Sequence, residues 1–263
     1  MSHFLREFAR RIGVGVKTAY FYVMGVAWVT ICAYGLVIPI AIVERVLCMD
    51  RFDLAQTVLY YGTWLAGLPM RLVSRFHVDK AKIAQEGDVV VICNHHSYID
   101  IFLLLTIFPR IHFTARSTLF RIPFLGWAMR LLGHVPHDPL SLDRGVGSAR
   151  QWLTRGRYLG LFPEGTRHPE GEIGPFRRGA FRIAQDARVQ VQPVVGVGTG
   201  RIWKRGQFWV RHLGPVGVRV LDPVNVPAGL SRSQFAEWVE TVRQSMLRVH
   251  GQLREELKLN EEC

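Results

Sequence analysis

Cysteine is scarce in this chain. Its four copies, Cys32, Cys48, Cys93 and Cys263, share no C-x-x-C spacing, and two of them lie in or beside an apolar run. That argues against a disulfide framework or a cysteine-based zinc site and makes a reducing compartment the default. Acidic residues are also in short supply. There are 21 Asp and Glu against 33 Lys and Arg, a formal charge of +12. Such an excess suits an anionic partner: nucleic acid, an anionic membrane surface or a phosphate-bearing substrate. The sequence has no G-x-S-x-G elbow, no G-x-x-x-x-G-K-[ST] loop and no internal repeat. Serine-hydrolase and P-loop chemistry therefore drop out. Gly196 to Gly200 imitates a dinucleotide loop, but the residues after it do not read as the helix such a loop requires. No recognition helix or RNA-binding motif accompanies the positive charge, so nucleic acid is not an expected partner.

What is present fits one sizeable α/β domain with an appendage. The 263 residues are too few for several independent domains. Thr18 to Val43 is a run of 26 residues without a charge. As a helix it would be about 39 Å long, against a hydrocarbon core of about 30 Å. A cleaved signal peptide and a buried core helix are the alternatives, the first disfavoured because its apolar stretch is usually about 7–15 residues. A second uncharged run, Leu54 to Met70, has 17 residues, the lower limit for spanning. Arg6, Arg10, Arg11 and Lys17 precede the first run; Arg71, Arg75, Lys80 and Lys82 follow the second. By the positive-inside rule both flanks belong on the cytoplasmic side. Residues 1–75 thus read as a membrane-embedded helical hairpin that crosses the bilayer or dips into one leaflet. Residues 76–263 read as an α/β domain ending in a helix.

Within that domain, Val89 to Cys93, Ile111 to Ala115, Tyr158 to Phe162 and Val189 to Val197 have strand character. Phe208 to Leu221 reads as two strands broken at Gly214 and Pro215. Leu119 to Gly133, Arg144 to Thr154 and Gly179 to Arg188 read as helices. Ser231 and Gln234 form a capping box ahead of a helix with Phe235, Trp238, Val239, Val242 and Met246 on one stripe. The alternation predicts a mixed, largely parallel sheet flanked by helices.

Two loops after predicted strands could carry chemistry, since α/β proteins place their sites at strand ends. The first runs from Asn94 through His95, His96, Ser97 and Tyr98 to Asp100. His95 and Asp100 are five residues apart, about 140° around a helix, so they cannot share a helical face. With His95 in the turn and Asp100 in the first helical turn, the carboxylate can reach the imidazole and make it a general base. A metal site built from His95, His96 and Asp100 is an alternative reading, as is a turn capped by an aspartate. The second loop is Phe162, Pro163, Glu164, Gly165, Thr166 and Arg167. Arg167 can grip a phosphate with two parallel bonds. Glu164 can bind a hydroxyl or orient Arg167. A β-turn with a solvated ion pair is the alternative.

Together these loops resemble the glycerolipid acyltransferase family typified by 1-acylglycerol-3-phosphate acyltransferases. Its N-H-x-S-x-x-D motif is matched by Asn94, His95, Ser97 and Asp100, and its F-P-E-G-T-R motif at every position from Phe162 to Arg167. An intermediate block corresponds to Ala115 to Trp127, with Arg116 where the family often has lysine. A weaker block at Val191 to Val194 places Pro193 on a strand lining the acyl site. The resemblance implies transfer of a fatty-acyl chain from acyl-CoA or acyl carrier protein to the hydroxyl of a lysolipid, 1-acyl-glycerol-3-phosphate giving phosphatidic acid. His95 and Asp100 would be catalytic. Glu164, Gly165, Thr166, Arg167, Arg116, Asn94, Ser97 and Pro193 would bind substrate. The resemblance implies neither a metal nor another cofactor, and it implies a location at the cytoplasmic face of a membrane. Another lysophospholipid or an aminolipid is the alternative acceptor, because Pro139 stands where the family has an arginine. A membrane-tethered, non-enzymatic binding protein is a further alternative.

Overall fold

The computed structural model describes residues 8, 12–16, 18–20, 22–23, 34–47, 53–66, 76–84, 89–123, 125–137, 153, 158–204, 206–207, 209–210 and 214–259. In chain order the elements are α1 (Ile38–Val46), α2 (Asp53–Ala66), β1 (Phe76–Asp79), β2 (Val89–Cys93), α3 (Ile99–Ile107) and β3 (Ile111–Arg116). A 3-10 turn (Leu119–Arg121), α4 (Leu125–Leu131), β4 (Val135–His137), β5 (Tyr158–Leu161) and α5 (Gly179–Ala187) follow. The rest are β6 (Gln190–Val197), the short α6 (Thr199–Ile202), β7 (Val216–Val220) and α7 (Arg232–Glu256).

The seven strands form one sheet in the order β1-β7-β6-β2-β5-β3-β4. All neighbours are parallel except β6 and β7. The unbroken apolar reading of β2 has its reason here. The strand lies between β5 and β6, helices cover both faces of the sheet, and all five of its residues are buried. Its side chains alternate between two cores. Val91 and Cys93 pack with Leu103, Leu104 and Ile107 of α3 and with Ala41 and Leu59 of α1 and α2. Val90 and Ile92 pack with Phe181 and Ala184 of α5 and with Phe235, Val239, Val242 and Met246 of α7. The predicted stripe on α7 is therefore core, apart from the half-buried Trp238 at its margin. The Ser231–Gln234 capping box is formed in both directions.

Two expectations need correction, and a third finds no support among the described residues. Leu119 to Gly133 is not one helix. The chain leaves the 3-10 turn at Ile122 in an extended conformation. Pro123 biases the preceding residue away from helix, so α4 starts only at Leu125. The first of the two strands expected between Phe208 and Leu221 is absent at the described Trp209 and Val210. Finally, no helix among the described residues is long and apolar enough to cross a membrane.

Positions 21 and 24–33 of the first uncharged run lie outside the described residues and its end belongs to α1, whereas the second run, as far as Ala66, falls in the 14-residue α2. The two helices α1 and α2 do pair. The buried carboxylate of Glu44 joins them by accepting the N–H groups of Leu54 and Ala55 at 2.8 and 3.2 Å. A carboxylate at a helix N-terminus meets the positive end of the backbone dipole, which makes its burial tolerable. The helix expected at Arg144 to Thr154 and the aspartate–proline pair at Asp138 and Pro139 lie outside the described residues, apart from Leu153.

Candidate active site

Strands β6, β2 and β5 are adjacent and parallel, so their C-terminal ends share one edge of the sheet. Three loops leave that edge: residues 94–98 after β2, 162–178 after β5, and Gly198 with α6 after β6.

His95 stands at the centre. Its Nδ1 lies 3.0 Å from Oδ2 of Asp100. That same oxygen accepts the N–H groups of His96 and Ser97, both at 2.8 Å. Asp100, in the first turn of α3, thus reaches back over the turn that carries the histidine. The His95 ring stacks on Phe162 with centroids 3.9 Å apart and planes 18° apart. An acceptor-only carboxylate at Nδ1 fixes the tautomer with the proton on Nδ1, leaving the Nε2 lone pair as the base. The side chain keeps 13% of its surface exposed, enough for one face to meet a substrate.

The backbone of His95 is held as firmly as its ring. Its N–H donates to Oε1 of Glu164 at 3.1 Å, and its carbonyl accepts the N–H of His168 at 2.8 Å. Glu164 is 3% exposed, and through this bond it braces the base from behind. Burial raises its pKa to about 7, against the opposing pull of the His95 N–H, the charge on His96 and the Gly174 N–H. Gly165 follows with φ +69°, and a Cβ there would come within 2.8 Å of Nε of Arg177, so the loop needs glycine at this point.

The guanidinium of Arg167 lies 3.9 Å over the ring of Tyr98. Tyr98 is 46% exposed and packs against Trp203, which meets Tyr22 from the N-terminal segment. Stacking on an aromatic face is a favourable cation–π contact that fixes the plane of a guanidinium. Thr166 is half-buried beside it, and Arg116 is exposed at the end of β3.

Other expected ligand-binding residues turn inward. Asn94 is 1% exposed and exchanges two 2.8 Å bonds with Gly196 of β6. Ser97 is fully buried and donates to the carbonyl of Trp203. Pro193 is buried within β6, level with Ile92. These three shape the site rather than offer open polar groups. The thiol of Cys93 is no nucleophile: it is 3% exposed, and burial, with the charges of Asp100 and Glu164, pushes its pKa well up.

His96 points away from His95. Its Nδ1 is 3.3 Å from Oε2 of Glu170 and its Nε2 is 2.8 Å from the carbonyl of Glu172. Ligand atoms of His96, Glu170 and His250 lie within 4.8 Å of one another, which is the composition of a metal site. The carboxylate is already engaged, however. Its oxygens accept the N–H groups of Gly198 and Gly200, and Arg254 lies 3.8 Å away. An ion pair accounts for the group. Burial opposes the charge on His96, but the bond and charge of Glu170 overcome it and raise its pKa to about 9. Burial likewise opposes the charge on Glu170, and His96 with the two glycine amides takes its pKa down to about 2. The alternative metal set of His95, His96 and Asp100 fails because the two imidazoles diverge.

The sequence reading missed Tyr98, Glu170, Thr199 and Trp203. The one available signal was topological: Gly198 to Gly200 follow a third parallel strand and were bound to arrive at the same edge.

Residues 75–197 match the Acyltransferase family. The chain is 36% identical over 138 residues to the chloroplast 1-acyl-sn-glycerol-3-phosphate acyltransferase BAT2 of Brassica napus, covering 51% of this chain and 40% of that one. It is 34% identical over 190 residues to the 1-acyl-sn-glycerol-3-phosphate acyltransferase of Saccharomyces cerevisiae, covering 70% and 60%. The chain thus spans about half the length of the curated relatives it matches. Among solved structures it resembles the 1-acyl-sn-glycerophosphate (LPA) acyltransferase PlsC of Thermotoga maritima, with a TM-score of 0.73, 27% identity, and coverage of 93% of this chain and 98% of that one. With both motifs at one sheet edge and this likeness in sequence and fold, residues 75–197 make up an acyltransferase domain.

Proposed function

We propose that the protein transfers a fatty-acyl chain from a thioester, acyl-CoA or acyl carrier protein, to the free hydroxyl of 1-acyl-glycerol-3-phosphate, giving phosphatidic acid. The observation that carries this reading is the 3.0 Å contact of His95 with Asp100, beside a loop that presents Arg167. The names of the relatives support the acceptor.

In this mechanism Nε2 of His95 takes the hydroxyl proton as the oxygen attacks the thioester carbonyl. The tetrahedral adduct collapses by breaking the C–S bond, and the imidazolium returns its proton to the departing thiolate. The products are an ester and a free thiol, with the imidazole neutral again. Asp100 stabilises the transient imidazolium. Proton transfer of this kind contributes about 10²–10⁴-fold, and juxtaposing two substrates contributes several kcal/mol more. Arg167, with Arg116 beyond it, holds the acceptor phosphate. No covalent acyl-enzyme is required.

The helix pair α1–α2 exposes Val46, Leu47, Tyr61 and Leu65, each more than 60% accessible. Such a surface suits a hairpin lodged in one leaflet, where the lysolipid resides, with the basic flanks toward anionic headgroups on the cytoplasmic side. Pro139 keeps a second reading open, in which the acceptor is another lysophospholipid or an aminolipid. Purified protein assayed with an acyl-CoA against a panel of lysolipids decides between them. Thiol release dependent on 1-acyl-glycerol-3-phosphate and lost in His95→Ala supports the proposal. Release driven only by a phosphate-free acceptor overturns the role of Arg167.

A further inference from the structure

Asp100 uses only one oxygen on His95. The other, Oδ1, accepts the hydroxyl of Thr199, which is fully buried. Thr199 comes from the far side of the sheet centre, where β6 ends, and it is held there from both sides. Gly198 and Gly200 each donate their N–H to Glu170, one to each carboxylate oxygen, at 2.9 and 2.8 Å. Gly198 has φ +89°, and a Cβ on it would sit 2.2 Å from the carbonyl oxygen of Pro215. Backbone conformation and a buried carboxylate thus fix the one side chain between them, and that side chain meets Asp100.

We propose that Thr199 is a positioning residue for acyl transfer, and that it sets the rotation of the Asp100 carboxylate so that Oδ2 faces Nδ1 of His95. The inference rests on the function proposed above. A carboxylate turns about its Cβ–Cγ bond, and three donors crowd Oδ2: the ring of His95 and the N–H groups of His96 and Ser97. Without Thr199, Oδ1 is buried with no donor. A buried, unsatisfied carboxylate oxygen is costly, and the group turns or draws in water to relieve it. Either response loosens the imidazole whose aim sets the rate. The loop of Glu170 thereby acts on the base through two intermediates, Thr199 and Asp100, without touching substrate.

The test is Thr199→Val, which keeps the shape and removes the donor. It is assayed in the full-length protein with an acyl-CoA and 1-acyl-glycerol-3-phosphate in mixed micelles. The expected result is a kcat about ten- to a hundredfold lower with both KM values within about twofold, as loss of a bond to a charged group predicts. Thr199→Ser restores kcat to within about threefold of wild type. If the valine protein does not fold, Thr199→Ala carries the same comparison with the serine variant. A second readout needs no turnover. The hydrogen-bonded Nδ1–H of His95, identified by its disappearance in His95→Ala, gives a low-field proton resonance that Thr199→Val shifts or broadens and Thr199→Ser retains. Wild-type kcat and an unmoved resonance in the valine or alanine variant overturn the inference, as does a loss that serine fails to restore. A wild-type protein inactive on every lysolipid sinks the proposed function instead, and the proton resonance still decides the role of Thr199.

Discussion

The buried carboxylate of Glu164 receives the backbone N–H of His95 at 3.1 Å, so the acid of the F-P-E-G-T-R loop holds the base of the other loop by its main chain. One oxygen of the glutamate thus serves the geometry of the base, and its burial makes it sensitive to pH.

Its pKa is raised from 4.5 to about 7, chiefly by burial. Between these values the folded protein binds a proton that the unfolded chain does not. The stabilisation is therefore full below about pH 4.5 and lost as pH rises through about 7. Glu164→Gln keeps an acceptor for the His95 N–H and removes the titration. Chemical denaturation from pH 4.5 to 8 should show a flatter stability profile for the glutamine variant than for wild type. Glu164→Ala, which leaves the N–H unpaired, should cost about 1–3 kcal/mol at all these pH values.

Tyr98 gives Arg167 its platform. A cation–π contact at a partly exposed site is worth about 0.5–2 kcal/mol. Tyr98→Leu should raise the apparent KM for a phosphate-bearing acceptor several-fold with kcat little changed, and Tyr98→Phe should behave as wild type. Arg167→Lys should cost more, because an ammonium offers a point charge in place of a planar fork. Steady-state kinetics at fixed thioester concentration separates these outcomes, and equal KM values for Tyr98→Leu and wild type would remove the platform from the account.

The His96–Glu170 ion pair sets a second pH window. The pKa of His96 rises from 6.5 to about 9, so its contribution is complete below 6.5 and lost as pH rises through about 9. The pKa of Glu170 falls from 4.5 to about 2, so its contribution is complete above 4.5 and lost as pH falls through about 2. Both are whole only between about pH 4.5 and 6.5. His96→Gln should lower stability most inside that window and progressively less toward pH 9, as followed by thermal unfolding.

Far from the site, Ser231 accepts the N–H of Gln234 and the Gln234 side chain accepts the N–H of Ser231. Ser231→Ala should destabilise α7 by about 1 kcal/mol, measured by urea denaturation, with no effect on turnover.

Much of this was legible in the sequence, for reasons that differ by residue. Strand β2 announced itself because burial on both faces demands unbroken apolar residues, whereas β6 was legible mainly from its apolar second half, Val194 to Val197, since Gln190 and Gln192 interrupt the first. His95 and Asp100 stood out through the resemblance of their motif to the acyltransferase family, since spacing alone left a metal site or an aspartate cap equally open. The bond of Glu164 to the His95 main chain was not legible, since nothing local distinguishes a glutamate that meets a ligand from one that turns under a neighbouring loop. Glu170 and Thr199 were invisible because their importance is created by a partner 99 residues away, in the case of Thr199 and Asp100. At the N-terminus, hydropathy reports only that apolar side chains leave water, and the described helices α1 and α2 do so partly against α3 and the sheet.

The paired bonds between Asn94 and Gly196 bear on how the protein is made. They bridge 102 positions and bind both polar groups of one amide side chain to a single backbone residue. Sliding β6 by one position would part both and turn its side chains to the opposite faces of the sheet. A nascent fragment ending before β6 therefore already carries Asp100, Phe162 and Glu164, but lacks the strand that ties Asn94, the residue before His95, to the sheet.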